Sequence, residues 1–126
     1  MDFGHLADWS SVLSDFRRSV RNQWVVLALT GELDLGSAPR LHQTVVGEVA
    51  SGHHHLVIDL SGVDFMDSTG LGSIIGALRR VRSHGGDLLL VCTEQRVLRV
   101  FEMCDLDRIF VFHVDVDSAV GTPVRV

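Results

Sequence analysis

Two apolar runs constrain this chain more than any other feature. Leu56-Val57-Ile58-Asp59-Leu60 and Leu88-Leu89-Leu90-Val91 are almost unbroken, whereas a strand with one wet face alternates apolar and polar residues. Runs of this length fit strands buried on both faces, and helical patterns lie before and between them, so parallel pairing through crossovers is expected. Ser37 is a plausible N-cap with Pro39 in the first turn, Leu41, Val45 and Val49 follow on one face, and Gly52 ends the helix. Leu71, Ile74, Ile75 and Leu78 repeat at the helical period between the two runs, and Glu94 to Cys104 reads as a further helix with Val97, Phe101 and Cys104 inward. Phe16 to Val20 fits an edge strand, turning at Arg21 and Asn22 into a strand from Trp24 to Leu29 that runs on to Asp34. Phe110, Phe112, Val114 and Val116 alternate with His113, Asp115 and Asp117 as a last strand, and Gly121 and Pro123 disfavour a long closing helix. The expectation is one α/β domain with a mixed sheet whose parallel core packs against helices. Leu6, Trp9 and Leu13 are spaced for a short amphipathic helix in a leader.

Composition removes several classes of function. A chain of 126 residues with 46% hydrophobic and 21% charged residues has the apolar content for a core and suits one domain. All 11 basic residues are arginines, and tyrosine is absent too. A Walker-type phosphate loop and a Schiff base both need the missing lysine. A formal charge of −5 argues against direct nucleic-acid binding. No apolar run approaches the roughly 18 residues of a membrane span, and Asp2, Asp8 and Asp15 at the start do not resemble a secretory signal. A cytoplasmic protein without membrane association is expected. Cys92 and Cys104 lack metal or redox spacing, so packed, reduced thiols are expected. His53, His54 and His55 are adjacent in an extended segment, which sends neighbouring side chains to opposite faces and suits a solvated loop better than a metal site.

The segment from Val63 to Gly72 carries the chemistry. It follows a buried strand as a loop, and Ser68 or Thr69 is placed to cap the helix that starts there. Thr69, Gly72, Ser73 and Gly76 leave one helix face almost without side chains, although each interior glycine costs about 1 kcal/mol relative to alanine. Either another element of the domain or a partner protein should approach that face, and the sequence leaves both open. Asp59, Asp64 and Asp67 have no basic residue among them, so a like-charge patch is expected at the sheet end where α/β folds bind ligands. The spacing is not that of a calcium loop, and capping is the simpler role for Asp67. A nucleophilic Ser68 would need a base within reach, and no hydrolase elbow is present. A phosphate accepted by Ser68 fits better: a helix N-terminus holds it, and it adds about −1.5 to −2 charges that a closely fitted partner would meet.

At these residues the chain resembles the STAS-domain anti-sigma factor antagonists of bacteria. The likeness runs from Leu29-Thr30-Gly31-Glu32-Leu33-Asp34 through Val57-Ile58-Asp59-Leu60 and Phe65-Met66-Asp67-Ser68-Thr69-Gly70-Leu71-Gly72 to Gly85-Gly86 and the helix around Leu98 to Cys104. It implies a leader over residues 1–15, a STAS domain over 16–120 and a tail over 121–126. The resemblance further implies partner switching: unphosphorylated, such proteins bind an anti-sigma factor that is a serine kinase of the histidine-kinase-like ATPase type, and so release a sigma factor. The phosphorylated serine maps onto Ser68, a serine phosphatase reverses the modification, and Asp34 matches the acidic residue near the loop. The implied partner surface comprises Asp34, Asp67, Ser68, Thr69, Gly70, Leu71, Gly72, Ser73 and Gly76. ATP and magnesium would belong to the kinase, so no cofactor, metal or catalytic residue of the chain's own is expected. The alternatives are a STAS scaffold without phosphorylation, a cytoplasmic accessory subunit of a membrane transporter, and a hydrolase using Ser68. Two departures from the family pattern are the long leader and the Gly121 to Pro123 segment, where a final helix is common.

Overall fold

The computed structural model describes residues 13–124, so the leader helix expected around Leu6 and Trp9 lies outside the described residues. Strands β1 (Leu13–Arg21) and β2 (Trp24–Leu33) form an antiparallel hairpin. Its turn is Asn22-Gln23, with φ of 51° and 72°. Two successive residues at positive φ match the right-handed twist of the strands they join. Glutamine rarely signals such a turn, which is why the sequence places it one residue early. The chain continues as α1 (Ala38–Ala50), β3 (His55–Met66), α2 (Ser68–Arg82), β4 (Asp87–Val91), α3 (Gln95–Met103), β5 (Val111–His113) and α4 (Val116–Val120). The five strands lie in the order β1-β2-β3-β4-β5, and every pair after the first is parallel. The expected mixed sheet with a parallel core is what forms.

Both faces of the central strands are covered, as their unbroken apolar runs require. Leu27, Leu56, Ile58, Leu60, Leu88 and Leu90 point to one side, against Leu41 and Val45 of α1, Ile74 and Leu78 of α2, and Val97 and Phe101 of α3. Trp24, Val26, Val57, Leu89 and Val91 point to the other, against Ala119 and Val120 of α4. Each valine, leucine, isoleucine or phenylalanine among them contributes about 1.5 to 3 kcal/mol on full burial. The indole Nε1 of Trp24 donates to the Thr122 carbonyl at 2.8 Å, which ties the chain after α4 to the start of β2. Among the described residues no helix is long and apolar enough to cross a membrane.

Three local expectations are corrected. The last strand is only Val111–His113, because the Asp115 carboxylate accepts from Ser118 N–H at 2.8 Å and starts a short helix where alternation had pointed to more strand. Cys104 is exposed at the C-cap of α3, just beyond the last helical residue, whereas Cys92 is buried and burial raises its thiol pKa. Gly52, at φ +91°, follows the end of α1 as expected, but the Ser37 hydroxyl does not cap the helix and instead donates to the Glu32 carbonyl at 2.7 Å.

The three adjacent histidines go to three different partners. His53 meets the Glu48 carboxylate at 2.8 Å, His54 stacks on His84 with ring centroids 4.9 Å apart, and His55 meets Trp24 edge-on at 5.5 Å. Glu48 also accepts two bonds from Arg18, at 2.6 and 3.1 Å, joining α1 to the edge strand. The bond from Arg18, helped by His53, holds the Glu48 carboxyl below its ordinary pKa. A depressed carboxyl stabilises the fold above the unfolded-state pKa, and the contribution fades as pH falls through the folded one. Arg18→Ala should therefore lower the thermal midpoint slightly at pH 7, by the equivalent of about 0.5 to 1 kcal/mol for a half-exposed pair. Thermal melts from pH 7 to 3 should show the difference from the parent protein closing as Glu48 protonates.

Candidate functional site

β4 pairs with β3 only from His55 to Asp59, yet β3 runs on to Met66. Beyond β4's reach and after one register shift, Gly62 to Met66 stays paired with Thr30 to Leu33 of β2 across a second. A Cβ at Gly62 would lie 2.9 Å from the Leu29 carbonyl, so only glycine allows the strands to approach this closely at the shift. Val63 to Met66, expected as loop because Ser61-Gly62 breaks the apolar run, is strand that continues its pairing with β2. This ribbon delivers the end of β2 and the start of α2 to one place.

The like-charge patch expected from Asp59, Asp64 and Asp67 does not form, because the strand spreads them out. Asp59 and Asp67 are separated by about 26 Å of extended chain, and Asp59 instead accepts from the backbone N–H and hydroxyl of Ser61. The aspartates that come together are Asp34 and Asp67. Asp34 accepts from the backbone N–H groups of Gly36 and Ser37, at 3.0 and 3.2 Å. Asp67, rather than Ser68 or Thr69, is the N-cap of α2: one carboxylate oxygen accepts from Gly70 N–H at 2.9 Å and the other from Leu35 N–H at 3.3 Å. One side chain thus braces the helix start and the β2–α1 loop together. An Asp N-cap is worth about 0.5 to 2 kcal/mol over alanine.

Capping by Asp67 leaves both hydroxyls of the motif uncommitted. Ser68 and Thr69 are exposed, and neither side chain hydrogen-bonds to a described residue. The N–H groups of Ser68 and Thr69 also lie at the helix start without an intrahelical partner, as the first turn dictates. Among the described residues no histidine or carboxylate hydrogen-bonds to the Ser68 hydroxyl, and the neighbouring Asp67 carboxylate is taken up by the Gly70 and Leu35 N–H groups.

The glycines divide by what they face. A Cβ on Gly70 would sit 2.1 Å from the Leu33 carbonyl oxygen, so at this position the close neighbour is the domain itself. Gly72 and Gly76 have nothing within 4 Å and face open space. Leu71 is 3% exposed and belongs to the core. Gly70 and Leu71 therefore set the position of the helix, while Ser68, Thr69, Gly72 and Gly76 line its outer face. Ser73 is half-buried, its hydroxyl donating to the Gly70 carbonyl at 2.6 Å. Two exposed apolar residues not singled out in the sequence lie on the segments that lead to the helix start: Leu35, 73% exposed, in the loop braced by Asp67, and Phe65, 49% exposed, at the end of β3. A leucine between Asp34 and Gly36, among turn-forming residues, was the available signal for the first.

Residues 15–119 match the STAS domain family. The chain belongs to that family, within its anti-sigma factor antagonist branch. The STAS domain is 38% identical over 78 residues to the anti-sigma-B factor antagonist of Bacillus subtilis, covering 62% of this chain and 71% of that one. It superposes with a TM-score of 0.77 on an anti-sigma factor antagonist from Mycobacterium paratuberculosis, at 26% identity and covering 85% and 91% of the two chains. The Bacillus cell fate determinant SpoIIAA, solved in a phosphorylated form, shares the STAS fold with a TM-score of 0.68 at 22% identity, covering 85% of this chain and 97% of that one.

Proposed function

We propose that the protein is a phosphorylation-controlled antagonist: unphosphorylated, it binds an anti-sigma factor that is a serine kinase, and the kinase switches it off by modifying Ser68. The observation that carries this reading is the exposed Ser68 hydroxyl at the first position of α2, beside the open stripe of Gly72 and Gly76. The helix start favours the phosphate once it is attached, through the uncommitted N–H groups of Ser68 and Thr69 and the positive end of the helix dipole. That the fold accommodates phosphorylation is supported by its neighbour SpoIIAA. Asp34 and Asp67 act by fixing the loop and the helix start, since their carboxylates are engaged with backbone N–H groups.

In this reading the partner is a histidine-kinase-like ATPase that brings its own ATP and magnesium, and a serine phosphatase reverses the step. The protein is substrate and ligand rather than catalyst, and it works in the cytoplasm. Phosphorylation carries the formal charge from −5 to about −7, with the addition on the binding face. Incubation with the cognate kinase and Mg-ATP should add one phosphate, located on Ser68 by fragmentation mass spectrometry. Ser68→Ala should take up none. Phosphate on Thr69 in the parent protein would overturn the assignment.

A further inference from the structure

A groove of about 260 Å³ opens where α2 passes the segment between α3 and β5. Its floor and walls are apolar, from Ile75, Leu78, Leu106, Ile109 and Phe110, and its rim carries Arg79 and Arg82. Ile109 is 47% exposed. Arg82 forms an ion pair with Asp87 at 3.6 Å, both half exposed, whereas the Arg79 guanidinium makes no ion pair with a described residue. The arginines stand at the C-terminal end of α2, where the helix dipole favours cations without neutralising them.

The groove is continuous with the face that bears Ser68. At 100° per residue, Ile75, Arg79 and Arg82 fall within about 40° of Ser68 around the helix axis. At 1.5 Å per residue, Arg79 lies about 16 Å from Ser68 along it, a distance that a partner helix of three turns spans. Charge is opposite at the two ends of α2: Asp34 and Asp67 lie around its start, and Arg79, Arg80 and Arg82 in its last turn.

We infer that the groove is a second contact for the kinase proposed above, and that it receives an amphipathic helix presenting apolar side chains to the floor and carboxylates to Arg79 and Arg82. The inference rests on that proposed partner. The floor supplies burial, which does not depend on orientation, and the reversal of charge along α2 sets the direction in which the partner helix lies. Phosphate on Ser68 then acts on one end of a two-point contact, and the groove keeps its own affinity in either state.

Titration calorimetry of the kinase against variants separates the groove from the switch. Arg79→Glu should weaken binding about tenfold, with the loss shrinking in high salt, while Arg79→Lys stays within about threefold of the parent. Ile109→Asp should weaken binding by a similar factor with its thermal midpoint retained, since this side chain is half exposed. Parent-like affinity in both Arg79→Glu and Ile109→Asp, alongside loss in Ser68→Asp, would overturn the groove and leave the switch standing. A protein that sediments alone as a dimer, broken by Ile109→Asp, would assign the groove to a second copy and overturn the inference. Absence of any binding by the unmodified protein would remove the proposed function and the groove's role together.

Discussion

Gly70→Ala should lower the thermal midpoint by roughly 10 °C, the largest loss from any single-methyl change in the site. The added Cβ would stand 2.1 Å from the Leu33 carbonyl oxygen and 2.8 Å from its carbon. Both neighbours are backbone, held in the ribbon by pairing of Leu33 with Met66, so neither yields cheaply. Overpacking of this kind costs about 1 to 3 kcal/mol or more, against which alanine recovers about 1 kcal/mol of helix propensity. The Asp67 bonds to Gly70 and Leu35 would lengthen as the helix start moves away. A net loss of about 2 kcal/mol corresponds to that shift in a domain of this size. Thermal unfolding followed by circular dichroism checks it. The same substitution at Gly72 or Gly76 meets nothing within 4 Å and should leave stability unchanged or raise it by up to about 1 kcal/mol. Their cost should appear only in partner binding.

That contrast bears on what the sequence could disclose. The small-residue stripe was legible as a stripe, because glycine spacing on a helix is a matter of period. Which neighbour each glycine meets was not legible, since the approach of Leu33 to Gly70 depends on β3 continuing to Met66. The continuation was hidden by Ser61-Gly62, which reads locally as a turn and acts here as a close strand crossing. The central strands were easier to read. Their unbroken apolar runs allow only burial on both faces, and Leu56 to Leu60 and Leu88 to Val91 are buried apart from half-buried Asp59.

Side-chain roles at the motif followed the same division. Asp67 beside a helix start was a natural cap, and it caps; that its second oxygen reaches Leu35, 32 residues earlier, is a tertiary fact. The hydroxyl of Ser37 shows the opposite case, with a favourable N-cap position but a side chain drawn back to the Glu32 carbonyl by the tight loop. Leu35 in a loop and Phe65 in a strand carry no signal by themselves, because single exposed apolar residues are common and gain meaning only from their neighbours.

The central claim is that a charge at Ser68 acts on binding and leaves the fold intact. Ser68 is exposed and its hydroxyl carries no hydrogen bond to a described residue, so an added charge breaks nothing inside the domain. At the helix start it faces uncommitted N–H groups and the positive end of the dipole, so the folded state should lose no stability. A partner packed over Gly72 and Gly76 would instead meet new bulk and an anion it must desolvate. Juxtaposed or unpaired charge at an interface costs several kcal/mol, or about a hundredfold in affinity for 2.8 kcal/mol. The direct measurement is calorimetric titration of the kinase with unmodified, Ser68-phosphorylated and Ser68→Asp protein, with thermal melts on the same samples. The account predicts at least about a hundredfold weaker binding for the phosphorylated form, a smaller loss for Ser68→Asp, and thermal midpoints within a few degrees of one another. Equal affinities across the three proteins, or lost binding accompanied by a collapsed midpoint, would contradict it.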